Sequence, residues 1–227
     1  MSKLLKRCKQ RRSSVRAKAG YGCCVMGVVG IVLAAGESRR MGKLKALLPF
    51  GGRTVIEQVI HNLLQVNLDG VAVVLGHRAP EIAAVLEPLP VRMVHNARYR
   101  EGMTSSVQAA LEQIVPIPEA YMLALVDQPH LGHEPAQHVL EAFTQTRQGL
   151  VIPTYQGKRG HPIVLSCKYR QEVLDLGPDQ GLNLVTRGHP EDTLEVPLAD
   201  EFILQDMDYP EDYEAVLKQW QQRMHAS

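Results

Sequence analysis

With 227 residues, 45% of them apolar and a formal charge of +1, the chain has the length and composition of an ordinary globular α/β domain with a full core. No apolar stretch reaches the roughly 18 residues of a membrane-spanning helix. The charge is uneven: residues 1–20 hold eight Lys or Arg and no acid, so the remainder carries about −7, the wrong sign for a nucleic-acid-binding surface.

That basic segment reads as a tail, as the start of a targeting peptide, or as an extension ahead of a start at Met26, and we favour the last. Residues 1–25 are therefore taken as a disordered extension and 26–227 as one domain. The only candidate for the apolar region of a secretory signal, Cys23–Ala35, would require cleavage into the strand and loop that carry the chemistry, so a cytoplasmic location is expected. The four cysteines, Cys8, Cys23, Cys24 and Cys167, form neither a disulfide framework nor a Cys-x-x-Cys zinc pattern.

Strand-like runs occur at Val28–Leu33, Val71–Leu75, Val91–Val94, Tyr121–Val126, Leu150–Ile152, Pro162–Leu165 and Phe202–Leu204. Helical spacing lies between most of them, at Thr54–Val66, Ala79–Leu86, Thr104–Val115, Glu134–Thr146 and Glu211–Trp220. Alternation of this kind predicts crossover units on a mostly parallel sheet. Ligands of such sheets bind beyond the carboxyl ends of the strands.

The stretch that organises the chain is 31–49. A buried strand stops at Ala34, Ala35 and Gly36, and a loop with Arg39, Arg40, Gly42, Lys43 and Lys45 follows. Small residues let backbone N–H groups approach an anion, and several cations in one loop suit a triphosphate. The Walker pattern is absent, because five residues separate Gly36 from Gly42 and Leu44 follows Lys43. A second feature is Asp127, which ends an apolar strand abruptly before Gln128-Pro129. A carboxylate there suits either a hard divalent cation or a cap on the following turn or helix. Asp208, ahead of Tyr209-Pro210-Glu211, reads from the residues as a helix N-cap.

These motifs together resemble the MobA-like nucleotidyltransferases: Leu33-Ala34-Ala35-Gly36-x-Ser38-x-Arg40-Met41-Gly42, Lys45 before Leu47-Leu48-Pro49, Asp127-x-Pro129, Gly102-Met103-Thr104-Ser105-Ser106, Gly160-His161-Pro162 and Asp208-Tyr209-Pro210-Glu211-Asp212. The resemblance is nearest to the molybdenum cofactor cytidylyltransferases and extends over about residues 28–220. It implies a Rossmann-like three-layer sandwich of the nucleotide-diphospho-sugar transferase type, with a mixed, mostly parallel sheet. It further implies Mg²⁺ held by Asp127 and Asp208, and Arg40 and Lys45 beside Asp127 as catalytic groups. Nucleotide contacts are implied for Leu33, Ala34, Ala35, Gly36, Ser38, Gly42, Gly102 and Ser105, with His161 toward the acceptor phosphate or pterin. The implied reaction moves CMP from CTP to a molybdopterin-type acceptor, and the product serves a xanthine-dehydrogenase-family enzyme, directly or through a maturation factor. Ala35 favours CTP, since the guanylyl branch usually carries Gly there. Gly177-Pro178-Asp179-Gln180-Gly181 departs from the family's Gly-Asp-x-Gly loop, and Asn183 stands where Arg is common, which opens the acceptor to a sugar phosphate, methylerythritol phosphate or phospholactate. A nucleotide sensor or cofactor chaperone on the same fold is the rival from another class, and intact Arg40, Lys45 and Asp127 argue against it.

Overall fold

A computed structural model of the chain describes residues 25–226; the expectations for residues 1–24, including Cys8, Cys23 and Cys24, lie outside the described residues. The first strand, β1 (Val25–Ala34), starts earlier than the apolar run suggested and contains Met26. It lies between β4 (Gly70–Leu75) and β6 (Pro118–Leu125), parallel to both. Its side chains alternate between two cores. Val28, Val32 and Ala34 enter one face, while Ile31, Leu33 and Ala35 enter the other, as the period of two in a strand requires.

Helices α1 (Val55–Leu63), α2 (Ala79–Leu86) and α4 (Glu134–Thr146) cover the first face through Ile56, Val59, Ile82, Val139 and Phe143. Helix α3 (Met103–Gln113) and two short helices, α5 (Arg170–Leu174) and α6 (Asn183–Gly188), cover the second through Val107, Leu111, Val173 and Val185. This is the three-layer sandwich anticipated. Burial on both faces explains why the central strands read as continuous apolar runs. Helix α1 begins with a capping box: Glu57 N–H donates to Thr54 Oγ1, and Thr54 N–H donates back to Glu57 Oε2 at 2.7 Å.

The sheet continues from β4 to β5 (Arg92–His95) on one side. On the other it runs from β6 to β9 (Ile163–Ser166), β7 (Leu150–Tyr155) and β10 (Thr193–Pro197). A short strand, β8 (Lys158–Arg159), folds back on β7, and β2 (Pro49–Phe50) pairs with β3 (Arg53–Thr54) in a separate hairpin. Only β9 runs antiparallel to its long neighbours, β6 and β7. Its start therefore lies at the edge where the parallel strands end.

The expected strand at Phe202–Leu204 is instead a 3-10 turn over Glu201–Leu204. Asp200 Oδ1 accepts from Phe202 N–H at 3.1 Å and starts the turn. The Ile203 carbonyl then accepts from His161 N–H at 3.2 Å and from the Gln128 side chain at 3.3 Å rather than from a strand ladder. Helix α7 (Pro210–Ala226) follows and packs Val216 and Trp220 on Phe50, with the Phe50 and Trp220 rings 5.1 Å apart. Among the described residues no helix is long and apolar enough to cross a membrane.

His130 packs edge-on against Phe202, with 3% of its surface exposed. Burial pushes its pKa down to about 4, outweighing the Phe202 backbone and Asp200, which favour the charged ring. A histidine depressed on folding stabilises the protein above the unfolded pKa of 6.5 and loses that contribution as pH falls toward 4. Urea denaturation should show wild type losing ~2–3 kcal/mol more than His130→Leu between pH 7.5 and pH 4.5.

Candidate active site

A cleft of about 810 Å³ opens at the carboxyl edge of β1 and β6. Its floor is the end of β1: Leu33, Ala34 and Ala35 are buried there and Gly36 is exposed, with no other atom near the place a Cβ would occupy. The loop then turns through Ser38 at φ 51° and Gly42 at φ 65°, both left-handed. Ser38 braces this turn twice, its carbonyl accepting from Met41 N–H at 3.1 Å and its Oγ from Lys45 N–H at 3.3 Å. Gly42 supplies the conformation that closes the turn and lies away from the cleft lining.

The turn delivers Lys45 inward. Its side chain is 8% exposed, and Nζ lies 3.1 Å from both Asp127 Oδ2 and Asp208 Oδ1. Asp127 stands directly beyond β6, where a tight turn leads away from the sheet, and α4 begins only at Glu134. The capping alternative for Asp127 on that helix is thus removed. Its second oxygen, Oδ1, is buried and has no hydrogen-bond partner. A buried carboxylate oxygen left bare is costly, so this oxygen is open to a cation or to a hydrogen-bond donor.

Asp208 likewise does not cap α7 with its side chain. Asp212 does that, its Oδ2 accepting from the Asp208 and Tyr209 N–H groups at 3.1 and 2.8 Å. Asp208 is left facing the cleft, where Oδ2 also accepts from Arg40 Nη1 at 2.9 Å. Arg40 lies over the Tyr209 ring, 5.6 Å from its centroid. Arg39 and Lys43 point to solvent, with Arg39 paired to Glu37. Among the described residues no three His, Cys, Asp or Glu side chains gather into a cage for a metal ion. Two carboxylates, with the remaining positions left to phosphate oxygens and water, is the arrangement Mg²⁺ commonly uses.

Gly102 has φ 100°, is exposed, and lines the cleft just ahead of α3. Ser105 is turned away from the cleft: its hydroxyl lies within hydrogen-bonding distance of the Arg98 and Gly102 carbonyls and accepts from Asn96 Nδ2 at 3.0 Å. Ser106, one residue on, lines the cleft instead, because consecutive helical residues point about 100° apart. The Gly177–Gly181 loop docks behind this turn, with Thr104 Oγ1 donating to the Gln180 carbonyl at 2.9 Å.

His161 precedes β9, so the reversed strand brings it to the same edge as Asp127. Burial lowers its pKa, and the nearby Asp127 charge opposes that shift. Gly160 makes the approach possible: a Cβ there would meet the Ile203 carbonyl oxygen at 2.4 Å. Gly160→Ala should lower stability by ~1–3 kcal/mol in urea denaturation, since the obstructing atom is backbone. A third acid, Asp206, also lines the cleft and was not singled out from the sequence. Burial, reinforced by the charge of Asp127, raises its pKa to about 6.

The family model for the MobA-like NTP transferase domain matches residues 30–193. The chain belongs to the MobA-like NTP transferase family. Among the relatives of this MobA-like transferase is nicotine blue oxidoreductase of Paenarthrobacter nicotinovorans, 31% identical over 175 residues that cover 72% of this chain and 83% of that protein. Molybdenum cofactor cytidylyltransferase of Escherichia coli is 30% identical over 137 residues, covering 60% and 68%. Among solved structures, Rv0371c of Mycobacterium tuberculosis superposes with a TM-score of 0.75 at 24% identity, covering 85% of this chain and 98% of that one. Rv0371c has also been solved in complex with manganese. The oxidoreductase aligns over a larger share of both chains than the cytidylyltransferase does, so these likenesses support the NTP transferase family rather than one particular acceptor.

Proposed function

We propose that the protein transfers CMP from CTP to a molybdopterin-type acceptor and releases pyrophosphate. The observation that carries this reading is the buried Lys45 ammonium held between Asp127 and Asp208, with one Asp127 oxygen bare. Asp127 and Asp208 would hold Mg²⁺, which when bound neutralises triphosphate charge; the manganese complex of Rv0371c is in keeping with a divalent ion. The backbone N–H groups of the Ala35–Gly36 turn orient the phosphates, helped by the absence of a side chain at Gly36. Lys45 and Arg40 stabilise charge on the oxygens around the α-phosphorus as an acceptor phosphate oxygen attacks and the bond to the bridging oxygen breaks. The attacking phosphate is already anionic, so no general base is needed. His161, whose pKa is lowered by burial, donates a hydrogen bond on the acceptor side.

The deciding experiment measures pyrophosphate release with Mg²⁺, each of CTP, GTP, ATP and UTP, and molybdopterin cofactor. Turnover with CTP alone is the expected result. Turnover with another nucleotide retains the transferase and replaces the base assignment. Inactivity in all four, accompanied by oxidation or reduction of nicotine blue with an added electron acceptor or donor, would overturn the reading in favour of the chemistry named for the Paenarthrobacter relative.

A further inference from the structure

The two carboxylates of the proposed metal pair come from chain segments that no secondary-structure element joins. Asp127 follows β6, and Asp208 lies between the Glu201–Leu204 turn and α7. Their mutual placement therefore depends on what ties residues 126–129 to residues 203–208. Two links do so. Met207 N–H donates to the Asp127 carbonyl at 3.2 Å. Gln128, 5% exposed, places Nε2 3.0 Å from Asp206 Oδ1 and 3.3 Å from the Ile203 carbonyl.

A primary amide has two N–H donors, and here both are directed at the same distant segment, one at a main-chain carbonyl and one at a side chain. The adjoining backbone is tied in the other direction as well. Asn62 on α1 donates to the Pro129 and Leu131 carbonyls at 3.2 and 2.6 Å, and its own Oδ1 accepts from Gln58 at 2.8 Å. Leu or Met at 128 would fill the same space without gripping the 203–208 segment.

We infer that Gln128 is a positioning residue: it clasps the 203–208 segment to the Asp127 turn and so fixes the distance between Asp127 and Asp208. This rests on the metal-pair reading proposed above. Groups that orient metal ligands from behind typically change metal affinity by about 10–100-fold when removed.

The test uses the full chain, with Gln128→Met, which keeps volume and removes both donors, beside Asp127→Asn. Hydrogen exchange of the 203–208 peptide is read without metal or nucleotide, and Mn²⁺ affinity is read by electron paramagnetic resonance of free Mn²⁺. In Gln128→Met, the Met207 amide should lose at least tenfold in protection while β1 and β6 amides keep theirs, and Mn²⁺ should bind about 10–100-fold more weakly. Unchanged protection of Met207 overturns the clasp. Lost protection with wild-type Mn²⁺ affinity overturns the positioning role. Mn²⁺ affinity equal in wild type and Asp127→Asn would instead overturn the metal-pair reading, and the exchange data would still decide whether the clasp exists. General loss of protection across the sheet would send the test to Gln128→Glu, which keeps the size and polarity but presents an acceptor to Asp206; wild-type protection at Met207 in that variant overturns the clasp.

Discussion

Lys45→Met is expected to lower nucleotidyl transfer by about 10³-fold, or ~4 kcal/mol of transition-state stabilisation. Among the described residues that line the cleft the ammonium is the one buried cation, so its loss is not made good by water or by Arg40, whose side chain is 63% exposed. The same change should destabilise the fold at neutral pH. Removing Lys45 leaves Asp127 and Asp208 facing one another without the cation now 3.1 Å from each, and the Asp206 carboxylate lies near both. We expect a loss of ~1–3 kcal/mol at pH 7.5, smaller than for a fully enclosed pair because Asp208 is half exposed. Like charges raise a carboxyl pKa. A raised carboxyl favours the folded state at low pH and costs stability as pH rises through it. The penalty of Lys45→Met should therefore shrink between pH 7.5 and pH 5, measured by urea denaturation of variant and wild type in parallel. A penalty that grows on acidification would contradict the charge arrangement described.

Asp127→Asn should behave oppositely. The carboxamide keeps the shape of the turn beyond β6, and Lys45 retains Asp208 as its partner, so stability should change by less than ~1 kcal/mol. Transfer should fall by about 10²–10³-fold in kcat, because the missing charge acts where the triphosphate and its metal meet. Nucleotide binding measured calorimetrically in EDTA should be unchanged or tighter, since a negative group has left an anion-binding cleft. A loss confined to kcat separates a role in the chemical step from one in binding. Equal losses in CTP affinity and turnover would assign Asp127 to substrate contact alone.

The parts of this architecture that sequence patterns reveal are those governed by strong, local rules. Helices α2 and α4 begin and end where apolar spacing placed them, and each has a proline in its first turn. The strand ends at Ala34 and before Asp127 were visible because apolar runs stop sharply there. What escaped the pattern was set by long-range contacts or weak periodicity. Strand β10 is an edge strand with part-exposed residues and Glu195 at its centre, so it lacks an apolar run. Helices α5 and α6 span fewer than two turns, too short for a spacing of 3.6 to register. Phe202–Leu204 has strand composition, yet its backbone hydrogen bonds go to His161 and Gln128, partners far away in sequence. Ser105 and Ser106 differ only in the rotation of α3, which no motif records. Asp206 and Gln128 each stand beside a more conspicuous carboxylate, and their connection exists only once the two segments meet.

The central position of β1 also bears on how quickly the protein can fold. Its partners, β4 and β6, lie about 40 and about 90 residues further along the chain. Such parallel pairings require large loops to close before their contacts are gained, and chains dominated by distant contacts fold slowly for their size. The strand that leads into the proposed phosphate-binding turn is thus held, through β6, by the most distant strand pairing among the described residues. Substitutions that weaken the β1–β6 register should slow refolding and delay the appearance of nucleotide binding together.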